Sequence, residues 1–232
     1  MKLALDEIPR EIEGFDKVEI LIINDGSTDN TLEVAKEWGV DHVVSFKKNL
    51  GLARGFMAGM EYCLKQGADV VVNTDADNQY NAKDIPKLTQ PILEGKADIV
   101  VGERPISQIE HFSFFKKKLQ KLGSWVVRKA SSTDIPDAPS GFRAISRDAL
   151  MRINVFSDYT YTLETIIQAG RRDMAIMSVP IRVNEDLRPS RLMKSIPSYI
   201  KMSLLTIIRI FVTYKPMKFF MWLGAISAGS GF

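Results

Sequence analysis

Two aspartates spaced two apart, Asp75 and Asp77, with Gln79 two further on, are the residues best suited to do chemistry here. They follow a compact apolar run, Asp69 to Asn73, that reads as a buried strand. In a turn just past a strand end, two carboxylates at this spacing converge on one small volume. A hard cation such as Mg2+ or Mn2+ accepts such an oxygen-rich set and keeps positions open for phosphate oxygens. A solvated acidic loop is the bland alternative, and only placement at a strand end argues against it.

A second group is Asn24-Asp25-Gly26-Ser27-Thr28-Asp29, again after an apolar run, Lys17 to Ile23. Asp25 could accept hydrogen bonds from a base or ribose, and Gly26 lets a ligand approach the backbone. The same residues also make a turn with helix caps at Ser27, Thr28 or Asp29, and both uses are compatible. A third group is Ser140-Gly141-Phe142-Arg143, preceded by Asp137. Four scattered arginines, Arg104, Arg143, Arg188 and Arg191, complete the set. Taken singly, each arginine is more readily a surface residue than a ligand.

The elements that must position these groups alternate along the chain. Strands are predicted at 17–23, 42–46, 69–73 and 98–102, and helices at 31–38, 52–66 and 85–94. Pro86 falls near the first turn of the third helix, where proline is tolerated. This order predicts an α/β fold, a mostly parallel sheet flanked by helices. Ligands of such sheets bind beyond the carboxyl ends of the strands, so Asp25 and Asp75 should face one crevice. Beyond Gly102 come a basic, aromatic helix over 112–130 and a polar loop at 131–140. A short strand at 141–146, a helix over 163–169 and an edge strand at 175–183, broken at Pro180, follow.

The 232 residues allow a real core, and a net charge of +3 is too small to argue for nucleic acid. A lone cysteine, Cys63, excludes a disulfide framework, fits a reducing compartment and reads as a buried core thiol. The acidic start has no apolar core of a secretory signal. The tail runs uncharged from Phe219 to Phe232, too short for the roughly 20 apolar residues of a span but like the start of one. Lysines ahead of it read as a cytoplasmic flank, and the aromatic and basic helix before Ala130 fits an anionic bilayer as well as an ordinary amphipathic surface. Residues 193–232 are expected to form this juxtamembrane part, and a buried core helix is the alternative for 204–212.

Taken in order, Ile22-Ile23-Asn24-Asp25-Gly26-Ser27-Thr28-Asp29-Asn30-Thr31, Asn49-Leu50-Gly51, Asp75-Ala76-Asp77-Asn78-Gln79-Tyr80, Gly102-Glu103-Arg104, Asp137 with Ser140-Gly141-Phe142-Arg143, and Glu164 resemble family 2 glycosyltransferases of the GT-A fold. The nearest likeness is to their polyprenyl-phosphate (dolichyl-phosphate-type) sugar synthase branch. It covers roughly Val18 to Arg191 and implies a catalytic domain over 1–192.

The resemblance implies a nucleotide-sugar donor, with Asp25 and Gly26 touching the nucleotide. Asp75, Asp77 and Gln79 would hold Mg2+ or Mn2+ and through it the donor diphosphate. Arg104 and Arg143 would face phosphates of donor or acceptor, and Asp137 would sit beside the reacting centre. Arg188 and Arg191 match a basic segment that helps close over the site. The acceptor implied is polyprenyl phosphate or another lipid at a membrane surface, with the catalytic domain on the cytoplasmic side. A lipid phosphate is already an anion and needs no strong base; for a hydroxyl acceptor Asp137 is the candidate base. A homo-oligomer stays open.

Two departures stand out. The branch opens with an inner strand and a Pro-x-Tyr-Asn-Glu-like turn, whereas Met1 begins in what reads as the following helix. The sheet is therefore expected to lack an inner member and part of the nucleotide floor. Asn24 stands where an aspartate is usual. Competing readings are a polysaccharide-extending glycosyltransferase, for which Gln168-Ala169-Gly170-Arg171-Arg172 lacks the usual tryptophan, and a non-catalytic GT-A binding protein.

Overall fold

A computed structural model gives the fold. The structure describes residues 2–105, 114–155, 161–184 and, in the tail, 205, 208–209, 212–214 and 216–229. Arg188, Arg191 and most of the expected helix over 204–212 lie outside the described residues.

After a short helix α1 (Lys2–Asp6) come β1 (Leu21–Asn24), α2 (Thr31–Trp38), β2 (His42–Ser45), α3 (Leu52–Lys65), β3 (Val70–Asn73), α4 (Ile85–Leu93) and β4 (Ile99–Glu103). Then follow α5 (Phe114–Ser131), β5 (Arg143–Ser146), α6 (Arg147–Arg152), α7 (Thr162–Arg171), β6 (Ile176–Pro180) and α8 (Pro216–Gly229). The expected α/β alternation is found, with helices on both sides of the strands. Of the expected cap candidates for α2, Asp29 accepts from the Thr31 N–H at 3.1 Å, while Asn30, directly before the helix, makes no side-chain cap bond.

β1 and β2 pair in parallel, and the other strands form a sheet in the order β3-β5-β4-β6. β5 is antiparallel to both neighbours and β6 parallel to β4, so β3, β4 and β6 share one direction. β6 is an edge, as its proline requires. Among the described residues no strand joins β1 to β3, in line with the expected gap within the sheet.

β4 shows how the layers arise. Its alternating side chains divide between two cores, because successive strand residues point to opposite faces. Ile99 and Val101 pack in one core with Phe56 and Met60 of α3, Val126 and Val127 of α5, and Ile166 and Ile167 of α7. Val100 packs in the other with Leu88 of α4, Tyr80, Phe142 and Ile181. Each such fully buried side chain contributes about 1.5–3 kcal/mol. Cys63 is half-buried beside the first core, and burial raises its thiol pKa, so it is a packing residue.

α5 is amphipathic, burying Val126, Val127 and Ala130 and exposing Leu122 and Trp125. α8 exposes Met217, Phe220 and Met221. Among the described residues no helix is long and apolar enough to cross a membrane.

Candidate active site

β3 delivers Asp75 and Asp77 just past its carboxyl end, as expected. The Asp77 carboxylate accepts from the Gln79 N–H at 3.0 Å, closing a turn that keeps both acids together. Asn78 between them is in the left-handed region at φ 64°, which asparagine tolerates better than most residues. Asp75 is half-buried and, among the described residues, accepts no hydrogen bond. Burial, then the neighbouring Asp77 charge, push its pKa up to about 6 against the pull of Arg104. A carboxylate that is desolvated, beside a like charge and without a donor is a poor resident on its own and a good ligand for a cation. The two carboxylates therefore fit a divalent cation. The site has two carboxylates; among the described residues no cluster of three His, Cys, Asp or Glu forms a metal cage. Such a site leaves most of the coordination shell to waters or phosphate oxygens.

A shell invisible in the sequence encloses Asp75. Asn73 donates from Nδ2 to the Gly141 carbonyl and to the Tyr161 hydroxyl, both at 2.8 Å. The Tyr80 hydroxyl accepts from the Gly141 N–H at 3.0 Å. Gly141 packs closely here: a Cβ would lie 3.0 Å from the Tyr161 hydroxyl and 3.3 Å from Asp75 Oδ2, so either neighbour would have to give way. Tyr161 stacks on Phe56 of α3 at 3.9 Å between ring centroids, an arrangement that contributes about 0.5–1.5 kcal/mol beyond burial. Burial raises the hydroxyl pKa of both tyrosines, so they stay neutral hydroxyls.

Arg104 and Asp137 form a closed pair. Arg104 Nε lies 2.7 Å from Asp137 Oδ2 and Nη2 2.9 Å from Oδ1. Asp137 is 1 % exposed. Burial opposes the Arg104 charge, but the hydrogen bond and the Asp137 charge outweigh it and keep the guanidinium a cation. Both Asp137 oxygens are engaged by Arg104, and the carboxylate is buried, so in this structure it is the counter-ion of Arg104. The Arg104 Nη1 edge lies outside that fork and suits a phosphate oxygen.

Arg143 lies in the interior behind this pair. It is fully buried, and it donates to the carbonyls of Ser140, Ala138 and Thr162 and to Thr165 Oγ1 at 2.6–2.7 Å. Burial lowers its pKa to about 10, so it remains charged at neutral pH. It fastens the 137–142 loop to the start of α7.

At the end of β1, Asp25 accepts from the backbone N–H groups of Leu50 at 2.6 Å and Gly51 at 3.0 Å, which docks the entry to α3. Gly26 sits at φ +69°, and a Cβ there would meet the Lys48 carbonyl carbon at 2.4 Å. The close approach that requires this glycine is to the chain's own 48–49 loop. Asn24 is buried, donates to Ser45 Oγ at 2.8 Å and accepts from the Ser27 N–H, so it ties β1 to β2. Gln168 is likewise structural, pairing with the backbone of Asn154 through both ends of its amide.

A two-carboxylate loop at a strand end, on an α/β scaffold with Arg104 beside it, is the arrangement expected of a glycosyltransferase of the GT-A type. A profile described as "Glycosyl transferase family 2" matches residues 5–153, and the chain belongs to that family. It is 28% identical over 202 residues to a UDP-N-acetylglucosamine–dolichyl-phosphate N-acetylglucosaminyltransferase of Methanococcus voltae, covering 77% of this chain and 79% of that protein. It is 26% identical over 180 residues to a polyprenol monophosphomannose synthase of Mycolicibacterium smegmatis, covering 73% and 68%. These relatives bear out the likeness to the polyprenyl-phosphate branch. In fold it is similar to glucosyl-3-phosphoglycerate synthase from Mycobacterium tuberculosis, solved with Mn2+, uridine diphosphate and phosphoglyceric acid. The TM-score is 0.68 at 19% identity, with 90% of this chain and 72% of that chain covered.

Proposed function

We propose that this glycosyltransferase moves a sugar from a nucleotide-sugar to polyprenyl phosphate at a membrane surface, with Mg2+ or Mn2+ on Asp75, Asp77 and Gln79. The observation that carries the reading is Asp75, a half-buried carboxylate beside Asp77 whose pKa is raised to about 6 and which has no hydrogen-bond donor among the described residues. A bound divalent ion would supply charge to stabilise the departing nucleoside diphosphate. The chain's own residues do the rest. Asp75 and Asp77 hold their charges at one point, Arg104 keeps a cation beside them, and Tyr80, Tyr161 and Gly141 shape the wall against which the sugar end of the donor packs. Asp25 and Gly26 form the turn on the nucleotide side.

The lipid-phosphate acceptor is favoured by the state of Asp137. Buried and held by Arg104, it is poorly placed to take a proton from an incoming hydroxyl, whereas a phosphate attacks as an anion and needs positioning rather than a base. The names of the relatives point the same way. Exposed Leu122 and Trp125 on α5 and Met217, Phe220 and Met221 on α8 support membrane contact, with the catalytic domain, over residues 1–192, on the cytoplasmic side. Arg188 and Arg191 would close over the donor.

The test is transfer of label from a panel of nucleotide-sugars to short-chain polyprenyl phosphate with Mn2+ or Mg2+. Label in the organic phase, abolished by chelation, is the expected result. Label only in a water-soluble polymer would instead favour the polysaccharide-extending alternative.

A further inference from the structure

The acidic loop is held from outside by a segment that lies about a hundred positions later in the chain. Val183 bridges Tyr80 in antiparallel fashion, and the Asn81 N–H donates to the Arg182 carbonyl at 3.3 Å. Asn184 makes the closest set of contacts. Its backbone N–H donates to the Gln79 carbonyl at 2.9 Å. Its Nδ2 donates to the Asn78 carbonyl at 3.1 Å and to Glu7 Oε2 at 3.3 Å, and its Oδ1 accepts from Asn81 Nδ2 at 3.3 Å. Two acceptors on one side and a donor on the other fix the amide's orientation. The carbonyls it holds are those of Asn78, the left-handed residue, and Gln79, whose N–H closes the turn onto Asp77. Two like charges and a left-handed asparagine in one turn would relax apart without such a brace.

We propose that Asn184 is a positioning residue for the metal site: by fixing the peptide planes of Asn78 and Gln79, it sets the direction of the Asp77 carboxylate and the Gln79 side chain. This rests on the metal reading above. Neighbouring Arg182 supplies the contrast. It is bound to the buried Asp84 carboxylate at 2.7 Å, and among the described residues its side-chain hydrogen bonds go to Asp84.

The test is titration of Mn2+ followed by electron paramagnetic resonance, with and without uridine or guanosine diphosphate, and thermal melts of the same proteins without metal. Asn184→Ala is expected to weaken Mn2+ binding about tenfold at a little-changed melting temperature, and Asn184→Leu, of similar volume, to do the same. Arg182→Ala is expected to lower the melting temperature and leave Mn2+ affinity within about twofold. Wild-type affinity in both Asn184 variants overturns the proposal, as does equal weakening by Arg182→Ala, which would mark a general loss of stability. Undiminished Mn2+ binding by Asp77→Ala would overturn the metal reading itself, and this proposal with it.

Discussion

Asp75 is costly to ionise in the metal-free protein, and that cost has a pH signature. Its folded pKa, about 6, lies above the roughly 3.9 of an unfolded aspartate, so between these values the folded state holds a proton that the unfolded chain releases. Metal-free stability should therefore fall as pH rises from about 4 to 6, by up to about 3 kcal/mol, and Asp75→Asn should remove that fall. Thermal melts across the window in chelator check this. A second residue-scale prediction concerns Gly141. Its missing Cβ leaves room for Asp75 Oδ2, so Gly141→Ala should displace that carboxylate and cut transfer tenfold or more while moving the melting temperature little. Matched rate and stability measurements separate the two effects.

At the scale of elements, α4 and the strand-like segment after β6 are joined through Asp84. This carboxylate has no exposed surface, and it binds Arg182 and Lys87 at 2.7–2.8 Å. Burial opposes its charge, but the two cations and the Arg182 N–H prevail and draw its pKa down to about 2. Its stabilisation is present above about pH 4 and lost as pH falls toward 2; Arg182 is exposed enough for solvent to screen part of it. Asp84→Ala should destabilise the protein by about 2 kcal/mol at pH 7 and by much less near pH 2, read by urea unfolding. The segments that sequence pattern locates well are those whose signal is local. β3 and the turn after it are an apolar run and a D-x-D spacing, and α2 and α3 end close to their expected residues. The pattern could not place β5, which enters between β3 and β4 in reverse, because strand order depends on pairing across seventy residues. Arg143 and Asp137 carry no local mark of burial, so their structural work emerged only with the packing. Tyr161 and Asn184 reach the site from far along the chain for the same reason.

At the scale of the whole molecule, exposed apolar residues on α5 and α8 should meet a bilayer. Co-sedimentation with anionic vesicles should be seen, should weaken at high salt as charge attraction is screened, and should weaken further in Leu122→Ala/Trp125→Ala. The helix α3 links the two-stranded β1-β2 sheet to the wall of the acidic loop. Asp25 docks its start, Ile23 packs against Gly55 and Gly59, and Phe56 reaches Tyr161 beside the acidic loop. The central claim is that this arrangement grips the donor's diphosphate through a divalent ion. Calorimetric binding of uridine and guanosine diphosphate with Mn2+, with chelator, and to Asp77→Ala tests it most directly. The account predicts binding of at least one nucleotide that is lost both with chelator and in the variant; undiminished binding in either condition would contradict it.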